Sequence, residues 1–87
     1  MSSVNTVTAR AAILDRLAAH GHPLSAAQRE STLVSLGVNS VTLVQVLSSL
    51  EDEFDLDFDT ESLFAGPVSV ALLEAELVRL SAANSGA

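Results

Sequence analysis

The stretch Leu36-Gly37-Val38-Asn39-Ser40-Val41 joins a long polar loop to the most regular amphipathic segment of the chain. Gly37 gives the backbone freedom just before the junction, and Asn39 is a residue type that favours helix N-caps. The apolar residues that follow recur with helical period. Ser40 therefore stands where the loop becomes a helix, and we regard it as the candidate functional residue.

Residues 41–54 predict a helix with one buried and one exposed face. At about 100° per residue, five large apolar side chains fall within about one third of its circumference: Leu43, Val46, Leu47, Leu50 and Phe54. The opposite side carries Val41, Gln45, Ser48 and Asp52, with Val44 and Glu51 at its margin. Two branched apolar residues near Ser40 on the solvent side favour a partner-docking patch over scattered exposed valines.

An alanine-rich segment predicts an earlier helix over residues 6–19. Apolar residues recur there at spacings of four, three and four, and Ile13 and Leu17 widen their face. The expected core face consists of Val7, Ala11, Leu14 and Ala18. Asn5 or Thr6 can cap the start of this helix. Gly21 and Pro23 are expected to end it.

Residues 22–39 form a connection without sustained period. Ser25 and Gln28 have capping-box spacing, which predicts a short helical turn inside it. Three apolar residues are expected to anchor the end of this loop in the core: Leu33, Val34 and Leu36. These anchors would determine where Ser40 emerges.

The acidic segment after the second helix alternates aspartates with apolar residues. Leu56 and Phe58 are expected to pack into the core while the aspartates face water. The Asp-x-Asp pattern fits a calcium loop poorly, because Thr60 stands where that loop requires a glycine. Asp59 or Thr60 can cap a short helix that ends near Phe64.

A last helix is predicted from Val70 to about Leu80, with Ser69 as its cap and an apolar stripe on one side. The stripe consists of Val70, Leu73, Leu77 and Leu80. Three main helices and one short helix predict an all-α fold, a small four-helix bundle. Residues 1–87 are expected to form a single domain with its core at about 6–80 and flexible tails at 1–5 and 81–87.

Composition narrows the classes of partner. The formal charge is −7, with four arginines and no lysine, which argues against nucleic acid as a partner. Such a surface suits basic partner proteins, although the charge could equally serve solubility alone. Without cysteine the chain can form neither disulfides nor thiolate metal sites. Because it shows no secretory signal and no apolar run of about 20 residues, the sequence predicts a cytoplasmic protein that does not insert into a membrane. We also expect a monomer.

Independent catalysis is not expected. A serine nucleophile needs a nearby base, and the only histidines are His20 and His22, at the far end of the first helix. These two histidines lack further ligands for a metal site. The N-terminus of a helix nevertheless favours a phosphate attached to Ser40. Ser40 therefore suits modification by another enzyme. Helix capping alone also accounts for Asn39 and Ser40.

The junction and the helix after it resemble the signature of acyl carrier proteins, in which a Leu-Gly-x-Asp-Ser-Leu segment opens the second helix. The matching residues include Leu36-Gly37-Val38-Asn39-Ser40-Val41, Leu43, Val44, Leu47, Leu50, Glu51 and Phe54. The resemblance continues through the acidic connector and the last helix. It implies a four-helix bundle in which a phosphopantetheinyl transferase esterifies Ser40 with 4'-phosphopantetheine, within an attachment site that includes Asn39 and Gly37.

The same resemblance implies that the thiol of this arm carries acyl intermediates as thioesters between partner enzymes: an acyltransferase, an adenylating enzyme or a ketosynthase. Its docking residues would be Val41, Val44, Gln45, Ser48, Glu51 and Asp52. The chain departs from the pattern at Asn39, which replaces an aspartate and resembles peptidyl carriers, whereas Val38 replaces a glycine usual in peptidyl carriers.

Three hypotheses follow. The first is a free-standing acyl carrier of bacterial polyketide or mixed polyketide and nonribosomal peptide biosynthesis, as in antibiotic pathways, with an amino-acid carrier as the variant. The second is an unmodified helical interaction module in which Ser40 only contributes to the helix start. The third is an autonomous enzyme, which the chemistry of the residues disfavours.

Overall fold

The structure is a computed structural model that describes residues 5–85, and of residues 83–85 only the backbone. In this range the chain forms α1 (Thr6–Ala19), α2 (Ser40–Phe54), α3 (Thr60–Leu63) and α4 (Val70–Ser85). Two short 3-10 turns, Ala26–Gln28 and Val34–Leu36, interrupt the loop between α1 and α2. Extended backbone pairing in residues 5–85 is limited to a single bridge between Thr32 and Ser69. The predicted bundle of three main helices and one short helix is confirmed.

Polar side chains begin each α-helix by accepting a hydrogen bond from a backbone amide of the first turn. The four bonds are Asn5 with the Thr8 amide (2.8 Å), Asn39 with Thr42 (2.8 Å), Asp59 with Ser62 (3.3 Å) and Ser69 with Leu72 (3.1 Å). The predicted capping box is also present, because the Ser25 amide donates to the Gln28 side chain at 3.0 Å. The predicted helix starts are therefore confirmed.

The buried face of α2 consists of the residues that its helical period predicts. Leu43, Val46, Leu47 and Leu50 are buried, and Phe54 at the end of the helix is half-buried against them. From the acidic connector Leu56 and Phe58 enter the same core, while the aspartates beside them are exposed. α1 packs against both α4 and α2 and closes the bundle.

The core face predicted for α1 is wrong, because the helix buries a different side. The fully buried residues are Ala9, Ile13 and Leu17, whereas Val7 is 70% exposed. Ala11 and Ala18 are also exposed, and Leu14 is half-buried. Burial follows the large side chains of Ile13 and Leu17 because each removes far more apolar area from water than an alanine does.

One anchor of the loop is also different from the prediction. Leu33 is buried and Leu36 half-buried as expected, but Val34 is 75% exposed. Val38 takes the core position instead and is 1% exposed. The Val38 amide donates to the Leu33 carbonyl at 3.0 Å, so the chain turns back on itself and turns Val34 outward.

α4 continues to Ser85, beyond the end predicted near Leu80. Alanine is the best helix former, and Gly86 is the first strong helix breaker after Val70. Residues 81–85, part of the segment expected to be a flexible tail, thus belong to α4, and the flexibility of the tails stays a prediction. Residues 1–4 and 86–87, which belong to the predicted tails, lie outside the described residues. No helix within residues 5–85 is long and apolar enough to cross a membrane.

Candidate functional site

Gly37 provides the turn that directs the chain into α2. Its φ of 92° and ψ of 6° lie in the left-handed region, where residues other than glycine are strained. Its amide donates to the Val34 carbonyl at 3.0 Å and closes the 3-10 turn. A Cβ at this position would meet no atom within 4 Å. The glycine is thus required by backbone conformation and not by lack of space.

Asn39, and not Ser40, is the N-cap of α2. Its side-chain oxygen accepts the bond from the Thr42 amide, and its backbone is extended, with φ −85° and ψ 169°. Ser40 is the first helical residue and is exposed. No residue in the described range 5–85 forms a hydrogen bond with its hydroxyl. The cap explanation thus holds for Asn39, and the Ser40 hydroxyl remains accessible to an external group.

Two buried residues hold the loop that carries Ser40. Leu33 and Val38 lie on either side of the turn and are 0% and 1% exposed. The Leu33 amide donates to the Val68 carbonyl at 2.8 Å, which fastens the loop to the segment just before α4. The position of Ser40 is therefore set by buried contacts only two residues away.

An apolar cavity of about 470 Å³ opens on one side of Ser40, between the loop, the start of α2 and the segment that joins α3 to α4. Its lining consists of Thr32, Val34, Ser40, Leu43, Phe64, Gly66, Pro67 and Val68. A second, shallower apolar depression lies on the other side, lined by Ser40, Val41, Val44 and Gln45. Ser40 is shared by both, so a group attached there would have apolar surface on either side. The outward Val34, which the sequence predicted in the core, forms part of the first wall.

Most predicted docking residues lie together on the exposed face of α2. Val41 and Val44 are 69% and 46% exposed. Gln45, Ser48 and Asp52 are also exposed on this helix. We call these five residues the α2 face.

Glu51, the sixth predicted docking residue, has a structural contact. It is half-buried, and its carboxylate accepts a hydrogen bond from the Phe58 amide at 2.7 Å. This bond ties the acidic connector back onto α2. A cavity of about 440 Å³ next to it is lined by Ser48, Glu51, Asp52, Asp55, Leu56 and Asp57. The C-terminal half of α2 and the connector thus form a strongly acidic surface.

Every arginine of the chain contacts a carboxylate of the same chain. Arg16 pairs with Glu53, Arg79 with Glu76 at 2.6 Å, and both Arg10 and Arg29 with Glu74. The chain has four arginines and no lysine. Within residues 5–85 every arginine thus has a carboxylate partner, and no arginine lines the acidic cavity, so that surface suits a basic partner.

Glu74 is not among the site residues predicted from the sequence, and it is 1% exposed on α4. Its position was detectable, because it stands four residues after Val70 and three before Leu77, on the apolar stripe. Burial raises the pKa of a carboxyl group, but the hydrogen bonds and charges of Arg29 and Arg10 outweigh it and lower the pKa of Glu74 below its ordinary value. Glu74 is therefore a buried, paired carboxylate.

Neither His20 nor His22 lines the two apolar surfaces beside Ser40. Within residues 5–85, no three His, Asp or Glu side chains lie close enough to hold a metal ion together. Asp59, from the calcium-like pattern, caps α3. The surfaces that flank the exposed Ser40 are thus lined by no titratable side chain.

The chain matches a protein-family model. The family model described as "Phosphopantetheine attachment site" matches residues 10–75, which cover most of α1, all of α2 and α3, and the first part of α4. Comparisons with curated proteins and with solved structures gave no match.

Proposed function

The chain belongs to the phosphopantetheine-attachment family, and on that premise we propose that Ser40 is the residue that carries the arm. Domains of this family are carriers and not enzymes, and they bear 4'-phosphopantetheine covalently. The bound group supplies a terminal thiol that holds cargo as a thioester. The interpretation of the chain as a phosphopantetheine carrier is thus established at the level of the family.

One observation supports Ser40 most strongly: an exposed serine hydroxyl without a hydrogen-bond partner in residues 5–85, at the first position of a helix that Asn39 already caps. During modification the Ser40 oxygen attacks the phosphorus that bears the pantetheine group of coenzyme A. The pyrophosphate P–O bond breaks, adenosine 3',5'-bisphosphate leaves, and a base of the transferase takes the hydroxyl proton. The amides of the first helical turn and the helix dipole then favour the phosphate charge. Gly37 and Asn39 orient this oxygen and do not react.

We assign the chain as an acyl carrier, acting in polyketide or mixed polyketide and nonribosomal peptide biosynthesis in the bacterial cytoplasm, as a monomer. The resemblance of its junction to acyl carriers, and Val38 in place of the glycine usual in peptidyl carriers, support this assignment. Asn39 supports the alternative of a peptidyl carrier for an amino acid. Loading assays with acyl and aminoacyl donors would separate the two.

Family membership implies a phosphopantetheinyl transferase and biosynthetic enzymes as partners. We place their docking on the α2 face, with an acyltransferase, an adenylating enzyme or a ketosynthase as the specific candidates. The exposed valines supply apolar contact, and the acidic surface toward the connector steers a basic partner. Glu51 would then contribute charge while also holding the connector.

The deciding experiment is phosphopantetheinylation followed by intact mass. The purified full chain is incubated with coenzyme A and a broad-specificity transferase, alongside Ser40→Ala and Ser48→Ala. We expect one added arm on the wild type and on Ser48→Ala, which lacks an exposed serine of the same helix, and none on Ser40→Ala. An unmodified wild type, or an arm on Ser40→Ala, would overturn the assignment. An interaction module that is never modified predicts full biological function for Ser40→Ala.

A further inference from the structure

Glu74 is the only charged residue in residues 5–85 whose side chain is almost fully buried. Both carboxylate oxygens are engaged. One accepts from Arg29 Nη2 at 2.6 Å, and the other accepts from Arg29 Nε at 3.1 Å and from Arg10 Nε at 3.0 Å. The two bonds from Arg29 form a bidentate pair, which imposes direction as well as attraction.

The three residues of this cluster come from three different segments. Arg10 belongs to α1, Arg29 to the loop before the second 3-10 turn, and Glu74 to α4. The pairs with Glu74 span 64 residues for Arg10 and 45 for Arg29. Glu74 therefore connects the loop that leads to Ser40 with the helices of the bundle.

Backbone hydrogen bonds also attach this loop to α4 and to the segment just before it. The Arg29 carbonyl accepts from the Ala71 amide at 2.8 Å, and four residues later the Leu33 amide donates to the Val68 carbonyl at 2.8 Å. The Leu33 carbonyl in turn accepts from the Val38 amide at 3.0 Å. Hydrogen bonds thus fasten the loop at Arg29, at Leu33 and at Val38, two residues before Ser40.

Stability alone does not explain a buried ionic cluster. Apolar residues of similar volume are often as stable as such a cluster, or more stable, because burial removes the charges from water. A bidentate arginine instead restricts where the attached loop can lie. We therefore expect Glu74 to make a geometric contribution in addition to any effect on stability.

We propose that Glu74 is a positioning residue for the modification of Ser40: by holding Arg29 it fixes the loop that presents the serine hydroxyl to the transferase. This inference rests on the proposed function of Ser40. Glu74 acts only through Arg29 and does not touch the arm. Arg10 shares the carboxylate but belongs to α1, so its bond contributes to the bundle and not to the loop.

The test compares three variants of the full chain: Glu74→Met, Arg29→Gln and, as the matched control, Arg10→Gln. Glu74→Met keeps the volume without the charge, and both arginine side chains are about one third exposed (32% and 28%) and can turn to water. Steady-state kinetics with coenzyme A and the transferase are measured at a temperature where circular dichroism shows every variant folded.

We expect kcat to fall about tenfold or more for Glu74→Met and Arg29→Gln, because a small displacement of the reacting oxygen is costly. KM should change by less than about twofold, because the α2 face is intact. Arg10→Gln should resemble the wild type. Amide exchange at Leu33 and Ala71 should accelerate in the first two variants and not in the control.

Wild-type kcat in folded Glu74→Met would overturn the inference, and so would equal losses in Arg10→Gln and Arg29→Gln, which indicate general destabilisation. These outcomes differ from failure of the proposed function. In that case the wild type itself would accept no arm, and the inference would fall with it.

Discussion

The side-chain oxygen of Asn39 accepts a hydrogen bond from the Thr42 amide at 2.8 Å, so the helix that begins at Ser40 is capped by the residue before it. Capping and attachment are thereby assigned to neighbouring but different residues. This division of roles can be tested by stability measurements, separately from any modification assay.

Asn39→Ala should destabilise the fold by about 1 kcal/mol, because one amide at the start of α2 loses its partner. Ser40→Ala should change the free energy of unfolding by less than about 0.5 kcal/mol, since no bond to its hydroxyl is lost. Urea unfolding of the unmodified chain measures both. A larger loss for Ser40→Ala than for Asn39→Ala would contradict the assignment of the cap.

Val41→Glu should impair docking without unfolding the protein. Val41 is 69% exposed, so a charge there costs less than about 0.5 kcal/mol of stability. A charge in the centre of an apolar contact should raise the KM of the carrier for the transferase by about fivefold or more. Thermal unfolding and steady-state kinetics provide the two measurements.

The core control for this variant is Leu50→Ala, which should cost about 2 to 5 kcal/mol because Leu50 is fully buried. If Val41→Glu lowered the melting temperature as much as Leu50→Ala, the exposed position of Val41 would be wrong. An unchanged KM in folded Val41→Glu would instead remove Val41 from the docking surface.

Glu51→Ala should destabilise the protein by about 1 to 3 kcal/mol, because the part-buried Phe58 amide loses a charged acceptor at 2.7 Å. The neighbouring Asp52→Ala removes the same charge from an exposed position and should stay within about 0.5 kcal/mol of the wild type. Urea unfolding compares them. Equal effects would mean that the bond to Phe58 contributes nothing to stability.

The acid sensitivity of the fold should depend on Glu74. Its pKa is lower in the folded chain than in the unfolded chain, where the ordinary value is about 4.3. The stabilisation from this ionisation is therefore complete above the unfolded pKa and is lost as the pH falls through the folded one.

Urea unfolding of the wild type and Glu74→Gln across about pH 6 to pH 3 tests this dependence. The stability difference between them should shrink toward the acidic end, because the wild-type carboxyl group becomes protonated while the amide does not titrate. A difference that stays constant over this range would show that folding leaves the pKa of Glu74 unchanged, and a difference that grows in favour of the wild type toward acid would show a raised pKa; either result contradicts the ion pairs of Glu74.

The helices differ in how well the sequence determined their orientation. In α2 the residues opposite Leu43 and Leu50 are largely polar, so only one rotation of the helix buries the apolar arc. In α1 alanines occur on several sides, and small side chains bury too little area to select a rotation. Side-chain volume at Ile13 and Leu17 decided the orientation, and the spacing of apolar residues did not reveal it.

The helix start that carries Ser40 could be predicted from the sequence, but the long-range contacts around the site could not. Helical period and cap chemistry are local, so they place Ser40 at the start of α2 from the sequence. The outward position of Val34 and the burial of Glu74 depend on residues distant in the chain, Val68 and Arg29 among them. Such long-range pairs leave no local period, although a glutamate within an apolar stripe does indicate a buried partner.

The lining of the two surfaces beside Ser40 has a chemical consequence for cargo. It consists of aliphatic, aromatic, hydroxyl and amide side chains, together with Gly66 and Pro67. The chain contains neither lysine nor cysteine, the side chains that most readily take an acyl group from a thioester by aminolysis or exchange. A thioester held near Ser40 would therefore contact no amine or thiol side chain of its own carrier. Transfer of the acyl group would depend on the nucleophile that a partner enzyme brings.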